Sequence, residues 1–564
     1  MTKPRDYIEM GPRVFAKDPQ SRFPDDVAAR IFRRDISLWN GPPEAVGGRL
    51  GWLSLPENPA PEVVGSFSSA APDTKNIRRV ILAGMGGAAL MSKVFARAFE
   101  GRSAARLTVA DTTVTDSLLA LKREIDFSET LFIVSSKSGA TVETASVAEF
   151  FFDQCARSEG GADRAAGRFA AITDRGTPLF ETAASRGFAR VFEGDETVGG
   201  RFSPLSVFGM IPAALAGADT KAILSRALAM SDSLRRDGGG SALRLAAAVD
   251  TFCGRANGKF HVRCSEGIAG FDRFVEQIVG ESLGKDGRRV LPVAHDLCEE
   301  EETGGAVFVC LKGDGKTMAI AEKTAERGIP VVATVVDGAE GLGAEVFRWE
   351  FAVAILGAKW GVNPFDQPDV EGAKSQTRRF LGIYRSAGEL PFSAPDFEDC
   401  GIQFRATDPS KNIAEARAAL EKAAAERKEG GYLSIQAFLD KEALSAVEFL
   451  RSAISKKFGV SVTADLGPAY LHSSGQIHKG GGADGFFIQI TAPPAAEDLT
   501  VPEGVPDSGG VSFEILKNAQ MLGDREALER AGRKVFQAVL PQGGGEAAGG
   551  VLKFAELLGL GGGY

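Results

Sequence analysis

The chain's 564 residues are 44% hydrophobic and 25% charged, the balance of an ordinary globular protein with material for three or four domain-sized units. Sixty-five Lys and Arg against 74 Asp and Glu leave a net charge of −9; without a long basic cluster, neither nucleic acid nor an anionic membrane is expected as a partner. The charged Met1–Met10, the shortness of every apolar stretch, six cysteines without a CxxC pair and four histidines without HxxxH argue for a cytoplasmic protein with no signal peptide, membrane span, disulfide framework or bound metal.

Residues 1–75 read as an N-terminal segment. Short β-branched or aromatic runs then recur at Arg79–Ala83, Arg106–Ala110, Leu131–Ser135 and Phe169–Thr173, with helical patterns at Ala88–Phe99 and Thr141–Phe152. Strand–helix alternation with near-continuous apolar strands implies an α/β unit, a parallel sheet covered by helices on both faces, expected over 76–235. Asp237-Gly-Gly-Gly-Ser241 reads as a loop or hinge. A second unit of the same plan is expected over 242–390, from Lys259–Cys264, a helix at about Ile268–Leu283, Ala306–Leu311 and Ile329–Val336. Residues 391–564 add Tyr432–Leu439, a helix at about Lys441–Phe458, Val460–Ala464 and Phe486–Thr491, and are expected to complete the second unit. Pro493–Gly510 and the glycine tracts Gln542–Gly550 and Gly561–Gly563 read as loops or a flexible tail.

Two strand–loop–helix turns carry the chemistry of the first unit. In Ile81-Leu-Ala-Gly-Met-Gly-Gly-Ala-Ala-Leu90 a strand meets a helix through three glycines, which allow close approach of the main chain to an anion at the helix start. Gly84, Gly86 and Ala89, with Asp111 after the next strand, also fit a short dinucleotide fingerprint, and a purely structural tight turn is a further reading. In Phe132-Ile-Val-Ser-Ser-Lys-Ser-Gly-Ala-Thr-Val-Glu-Thr144 a buried strand ends in Ser135, Ser136, Lys137 and Ser138 before a helix begins near Thr141. Hydroxyls, an ammonium group and helix N-terminal amides together suit a phosphate. The plainer alternative is that Ser138 or Thr141 caps the helix, with Glu143 near the positive end of its dipole.

Five motifs in order resemble those of the glucose-6-phosphate isomerase family: Gly84-Met-Gly-Gly87, Ser136-Lys-Ser-Gly-Ala-Thr-Val-Glu-Thr144, Val198-Gly-Gly-Arg-Phe-Ser203, Gln277-Ile-Val-Gly-Glu-Ser-Leu-Gly-Lys285 and Phe365-Asp-Gln-Pro-Asp-Val-Glu-Gly-Ala-Lys374. Arg33-Arg-Asp-Ile-Ser-Leu-Trp39 and the C-terminal third resemble the isomerase half of bacterial transaldolase–isomerase fusions. The resemblance implies two sugar-isomerase subdomains, each a parallel sheet between helices, with N- and C-terminal additions and the active site between them. It further implies interconversion of glucose 6-phosphate and fructose 6-phosphate without a cofactor, through ring opening and a cis-enediol(ate), in a chain that can form a homodimer. Gly86, Gly87, Ser136, Lys137, Ser138, Thr141, Gly200 and Gln277 then belong to substrate and phosphate binding.

Glu281 matches the family's base, and a tuned carboxylate suits proton transfer between neighbouring carbons. Gln277, Glu281 and Lys285 share a helix face; a solvated Glu281–Lys285 ion pair is the alternative. Arg201 matches the arginine that stabilises developing negative charge, against an ordinary surface arginine. Gln367 and Lys374 match a phosphate contact and a group acting at the ring oxygen, against a Lys374–Glu371 surface pair. The chain departs from the family twice. Ala88 stands where the family usually has a serine. The ring-opening histidine is expected between the base and the Phe365 motif, where only His295 occurs. Leu471-His-Ser-Ser-Gly-Gln476 resembles the displaced histidine segment, so His472, with His478 as alternative, is expected to be delivered by a C-terminal third folded back onto the second unit. Another phosphosugar isomerase, acting on mannose 6-phosphate or an amino sugar, and a non-catalytic sugar-phosphate-binding protein remain as rival functions.

Overall fold

The computed structural model describes residues 6–11, 19–61, 76–255, 258–295, 297, 301, 303–427, 430–482, 484–495 and 497–561, with only the backbone for 368–374. The first sheet is wholly parallel. Its strands lie in the order Arg106–Ala110, Arg79–Gly84, Thr130–Ser135, Phe169–Asp174 and Arg190–Gly194. The central strand Thr130–Ser135 is buried throughout. Leu131 and Ile133 pack into one core and Phe132 and Val134 into another, which is why it reads as a continuous apolar run rather than an alternating one. In chain order the sheet runs second, first, third, fourth, fifth. Direction of winding therefore reverses between Arg79–Gly84 and Thr130–Ser135, and ligands of open α/β sheets bind outside the carboxyl ends of strands at such a switch point. Both turns singled out in the sequence leave from those two ends.

The second sheet follows the expected plan, with Val331–Val336, Ala306–Leu311, Lys259–Cys264 and Leu291–Val293 in parallel order. The N-terminal strand Tyr7–Met10 extends it antiparallel at the edge, Tyr7 opposite Thr334. Of the loop or hinge expected at Asp237–Ser241 the structure has a loop, a tight reversal between helices Thr220–Arg236 and Gly240–Cys253. Ala246, Ala247 and Val249 of the second helix lie in the same core as Ile223 of the first, so no boundary falls there.

The C-terminal third does not complete the second sheet. It builds a third of its own, in the order Phe397–Asp399, Ile402–Ala406, Lys534–Val539, Gly485–Thr491, Tyr432–Phe438, Val462–Leu466. The last four strands are parallel and the first two antiparallel. The physical reason is a separate core. Leu433, Ile435, Ile488, Ile490, Phe536 and Ala538 face one side with residues of helices Ile413–Arg427, Leu444–Phe458 and Ala547–Leu557. Alternate residues face the other way and include an uninterrupted polar row: Arg405, Gln537, Gln489, Gln436 and Asp465 are successive neighbours across five strands. Helix Phe513–Arg530 meets this row, with Gln489 Nε2 donating to Asp524 (3.4 Å) and Gln537 Nε2 to Met521 Sδ (3.5 Å).

The Gln542–Gly550 tract is likewise not a flexible tail: it forms a short turn and begins the helix Ala547–Leu557. Residues 562–564 lie outside the described residues. Within Pro493–Gly510, Val501 and Val505 are buried against the first unit. No helix among the described residues is long and apolar enough to cross a membrane.

Candidate active site

At the switch point of the first sheet the two turns form one wall of a cavity of about 550 Å³. Gly86 has φ +56°, and a Cβ there would stand 2.8 Å from His472 O and 2.9 Å from His472 Cβ. A Cβ on Gly87 would fall 2.4 Å from Gly200 O and 2.6 Å from Arg201 N. The glycines thus admit protein main chain, bringing the His472 and Arg201 segments against this turn. Asp111, the acid of the dinucleotide reading, pairs instead with Lys93.

Ser136, Lys137, Ser138 and Thr141 of the second turn all line the cavity. The plain capping reading does not hold for Thr141: it occupies the N-cap of helix Val142–Glu159 without a side-chain cap bond, and its Oγ1 accepts from Ser136 Oγ (3.2 Å). Ser138 Oγ accepts from Ala140 N at 3.3 Å, a local turn bond. Ser135 points the other way, donating to Ala88 O (2.8 Å) and tying the two turns together. The Lys137 ammonium is committed to Asp174 (2.6 and 2.7 Å) and Asp195 O (2.7 Å).

The opposite wall carries the buried charges. Arg201, 3% exposed, is no surface arginine. Its Nε donates to Ser282 Oγ (2.6 Å), one terminal nitrogen to Gln367 Oε1 (3.1 Å), and the other to the carbonyls of Pro364 (2.6 Å) and Asp366 (2.7 Å). Glu281 Oε1 lies 3.7 Å from it. Helix Phe271–Leu283 turns Phe274, Val275, Ile278 and Val279 into the core, which leaves Gln277 and Glu281 on the side toward the cavity. Burial raises the Glu281 carboxyl above its ordinary range, opposed by Arg201 and then His472. The expected alternative, a solvated pair with Lys285, is absent: Lys285 turns to Asn363 O (2.8 Å) and the Asp366 carboxylate (2.5 Å), and burial lowers its pKa to about 8.

The third unit brings His472 to the same cavity, after the short helical turn Ala469–His472. Its carbonyl accepts from Gln277 Nε2 (2.8 Å), which also donates to Glu281 Oε2 (3.2 Å). Gln277 therefore stands one layer behind the cavity rather than on its wall. The His472 ring donates from Nε2 to Glu143 Oε1 (3.0 Å), and Gln520 Nε2 donates to the same oxygen (2.6 Å). Thr113 Oγ1 in turn donates to Gln520 Oε1 (2.9 Å). His478, the alternative, is fully buried between Tyr432 and Phe487, bonded to Tyr432 OH (2.8 Å), and desolvation lowers its pKa to about 3. His295 lies with Glu448 (3.1 Å) and Arg273 (3.1 Å), away from the cavity.

Gly200, Arg201, Glu281, Gln367 and His472 share one cavity with Gly86, Gly87, Ser136, Lys137, Ser138 and Thr141. The side chains of Glu371 and Lys374 lie outside the described residues. Sequence reading missed Glu143, Asp174, Gln520 and Arg49 as site residues. Glu143 was visible only as a helix-dipole acid, and nothing local marks Gln520, whose partner lies 377 positions away. Among the described residues no group of three or more His, Cys, Asp or Glu is placed to hold a metal ion.

With this geometry in place, comparison with known proteins is informative. The family profile described as phosphoglucose isomerase matches residues 62–277. The chain is 28% identical to glucose-6-phosphate isomerase of Streptococcus gordonii and 26% identical to that of Enterococcus faecalis, each over 396 aligned residues, covering 59% of this chain and 87% of the relative. The chain is thus similar to phosphoglucose isomerases across its first unit and into its second. Among solved structures, a hypothetical protein from Thermus thermophilus is similar with a TM-score of 0.55 and 25% identity, covering 68% of this chain and all of that one.

Proposed function

We propose that this chain interconverts glucose 6-phosphate and fructose 6-phosphate, through ring opening and a cis-enediol(ate) with Glu281 as the base. The observation that carries the reading is the placement of a buried carboxylate, Glu281, beside the Arg201 guanidinium (3.7 Å) across a cavity whose other wall is a hydroxyl-rich helix start. The relatives named glucose-6-phosphate isomerase support the substrate pair.

In this reading the phosphate rests on Ser136, Ser138, Thr141 and the main chain of Gly86 and Gly87, which places the sugar carbons toward the opposite wall. His472, oriented by Glu143, exchanges a proton with the ring oxygen as the ring opens, and Lys374 assists there. Glu281 takes the C2 proton as the aldehyde oxygen gains enediolate character. It then returns that proton to C1 while the proton on O2 is lost and O1 is protonated, so the reaction is balanced without an external donor. A raised carboxylate pKa helps, because a stronger base better matches a weakly acidic C–H. Arg201 stabilises charge on the enediolate oxygens; it is already fixed by four hydrogen bonds, so little reorganisation is needed.

The test is to incubate the purified protein with fructose 6-phosphate in deuterated water and follow aldose formation and deuterium at C2. Wild type should give labelled aldose, and Glu281→Gln should lose about 10³-fold in kcat. Undiminished activity in Glu281→Gln would remove the assigned base. Binding without turnover would favour a sugar-phosphate regulator, and turnover of mannose 6-phosphate or an amino-sugar phosphate instead would move the reading to another isomerase.

A further inference from the structure

A phosphomonoester carries about 1.5 to 2 negative charges near neutrality, and the cavity's obvious cations are already engaged. Lys137 holds both oxygens of Asp174 and the Asp195 carbonyl, so that pair is neutral as a unit. Arg201 spends four of its five N–H groups on Ser282, Gln367, Pro364 and Asp366 and lies beside the Glu281 carboxylate. Among the described side chains lining the cavity, one cation has no carboxylate within ion-pair distance, Asp174 feeling its charge only from farther off. Arg49 makes a single hydrogen bond, from one terminal nitrogen to Glu196 O (2.7 Å), and is exposed.

Its position is built. Leu50 forms an antiparallel bridge with Val198, and Gly51 N donates to Thr197 O (3.0 Å). A Cβ on Gly51 would lie 2.1 Å from Thr197 Oγ1, so only glycine lets the two segments close. Arg49 thus adjoins a main-chain pairing to the very stretch that delivers Gly200 and Arg201. The N-terminal segment lines the cavity with Ala45 and Arg49, together with Lys137, Ser138, Asp174 and Gly199.

We propose that Arg49 is a substrate-binding residue, the cation that recruits the phosphomonoester dianion and exchanges its one carbonyl contact for phosphate oxygens. A guanidinium presents paired donors that match a phosphate edge, which an ammonium does not. The proposal rests on the phosphosugar reading for its ligand class, but not on isomerisation.

The experiment compares wild type, Arg49→Ala and Arg49→Lys. Steady-state kinetics with fructose 6-phosphate and calorimetric titration with inorganic phosphate are run at low and high salt. Arg49→Ala should raise KM about tenfold with kcat within about twofold, and weaken phosphate binding by a similar factor. Its kcat/KM should also lose part of the salt dependence of wild type, and Arg49→Lys should recover part of the loss. Unchanged KM and phosphate affinity in Arg49→Ala would overturn the proposal, as would a fall in kcat alone, which would mean Arg49 acts only through the Arg201 loop. If wild type turned over no sugar phosphate, the isomerase reading would fail while the phosphate titration still decided Arg49: weaker binding in the variant supports it, and equal or undetectable binding in both overturns it.

Discussion

The two walls of the cavity differ in kind. The wall from the first sheet consists of hydroxyls, glycines and main chain, and its one lysine is neutralised by Asp174. The facing wall holds a nearly inaccessible guanidinium and carboxylate, Arg201 and Glu281, with His472 and its partner Glu143 beside them. The first wall can hold a ligand by many weak, exchangeable contacts. The second is fixed before anything binds and has charges shifted by desolvation. Substitutions on the first should therefore act on KM, and on the second on kcat.

The largest effect expected from breaking this division, after loss of the base itself, is at Arg201. Arg201→Met should lower kcat by about 10²- to 10³-fold with a much smaller change in KM. It also has a pH signature. Glu281 must be ionised to act, so kcat/KM falls as pH drops through its raised pKa. Arg201 is the strongest influence holding that pKa down. The acid limb of wild type should thus lie above the ordinary glutamate value of 4.5, and in Arg201→Met it should move to still higher pH; a limb that stays in place would uncouple the two residues.

A smaller effect is expected at Gln520, which never reaches the cavity but grips the Glu143 oxygen that His472 uses. Gln520→Leu should reduce kcat about threefold to tenfold, the scale of one buried hydrogen bond, with KM unchanged. His472→Asn sets the ceiling: in its background Gln520→Leu should add almost nothing. Additive losses would show that Gln520 acts on folding rather than through the histidine. The smallest change belongs to the first wall. Ala88 lines the cavity, and Ala88→Ser should lower the KM for fructose 6-phosphate by about twofold to threefold, since one more hydroxyl donor offers a modest net gain.

The same contrast explains what could be read from the chain. The first wall was legible because its chemistry is local: strand, glycines, hydroxyls and helix start lie within ten or so consecutive residues. The strand ends at Ala306–Leu311 coincide with the sequence reading because that parallel strand, buried almost throughout, is a continuous apolar run. The third sheet was misassigned because its strands were only partly visible. Ile402–Ala406 alternates apolar with polar residues and Lys534–Val539 breaks its apolar run with Gln537, and nothing local says whether such a strand joins an existing sheet or starts another. His472 was found only because its neighbours resemble a known segment; its partner Glu143, 329 positions away, is joined to it by tertiary packing alone.

The route by which His472 arrives has a consequence for how the protein behaves in dilute solution. Glu281, Arg201 and His472 reach the cavity from one polypeptide, so their encounter is intramolecular and independent of protein concentration. Mass action penalises only sites assembled from separate chains. Specific activity should accordingly stay constant on dilution to nanomolar levels, whatever copies of the chain associate at higher concentration.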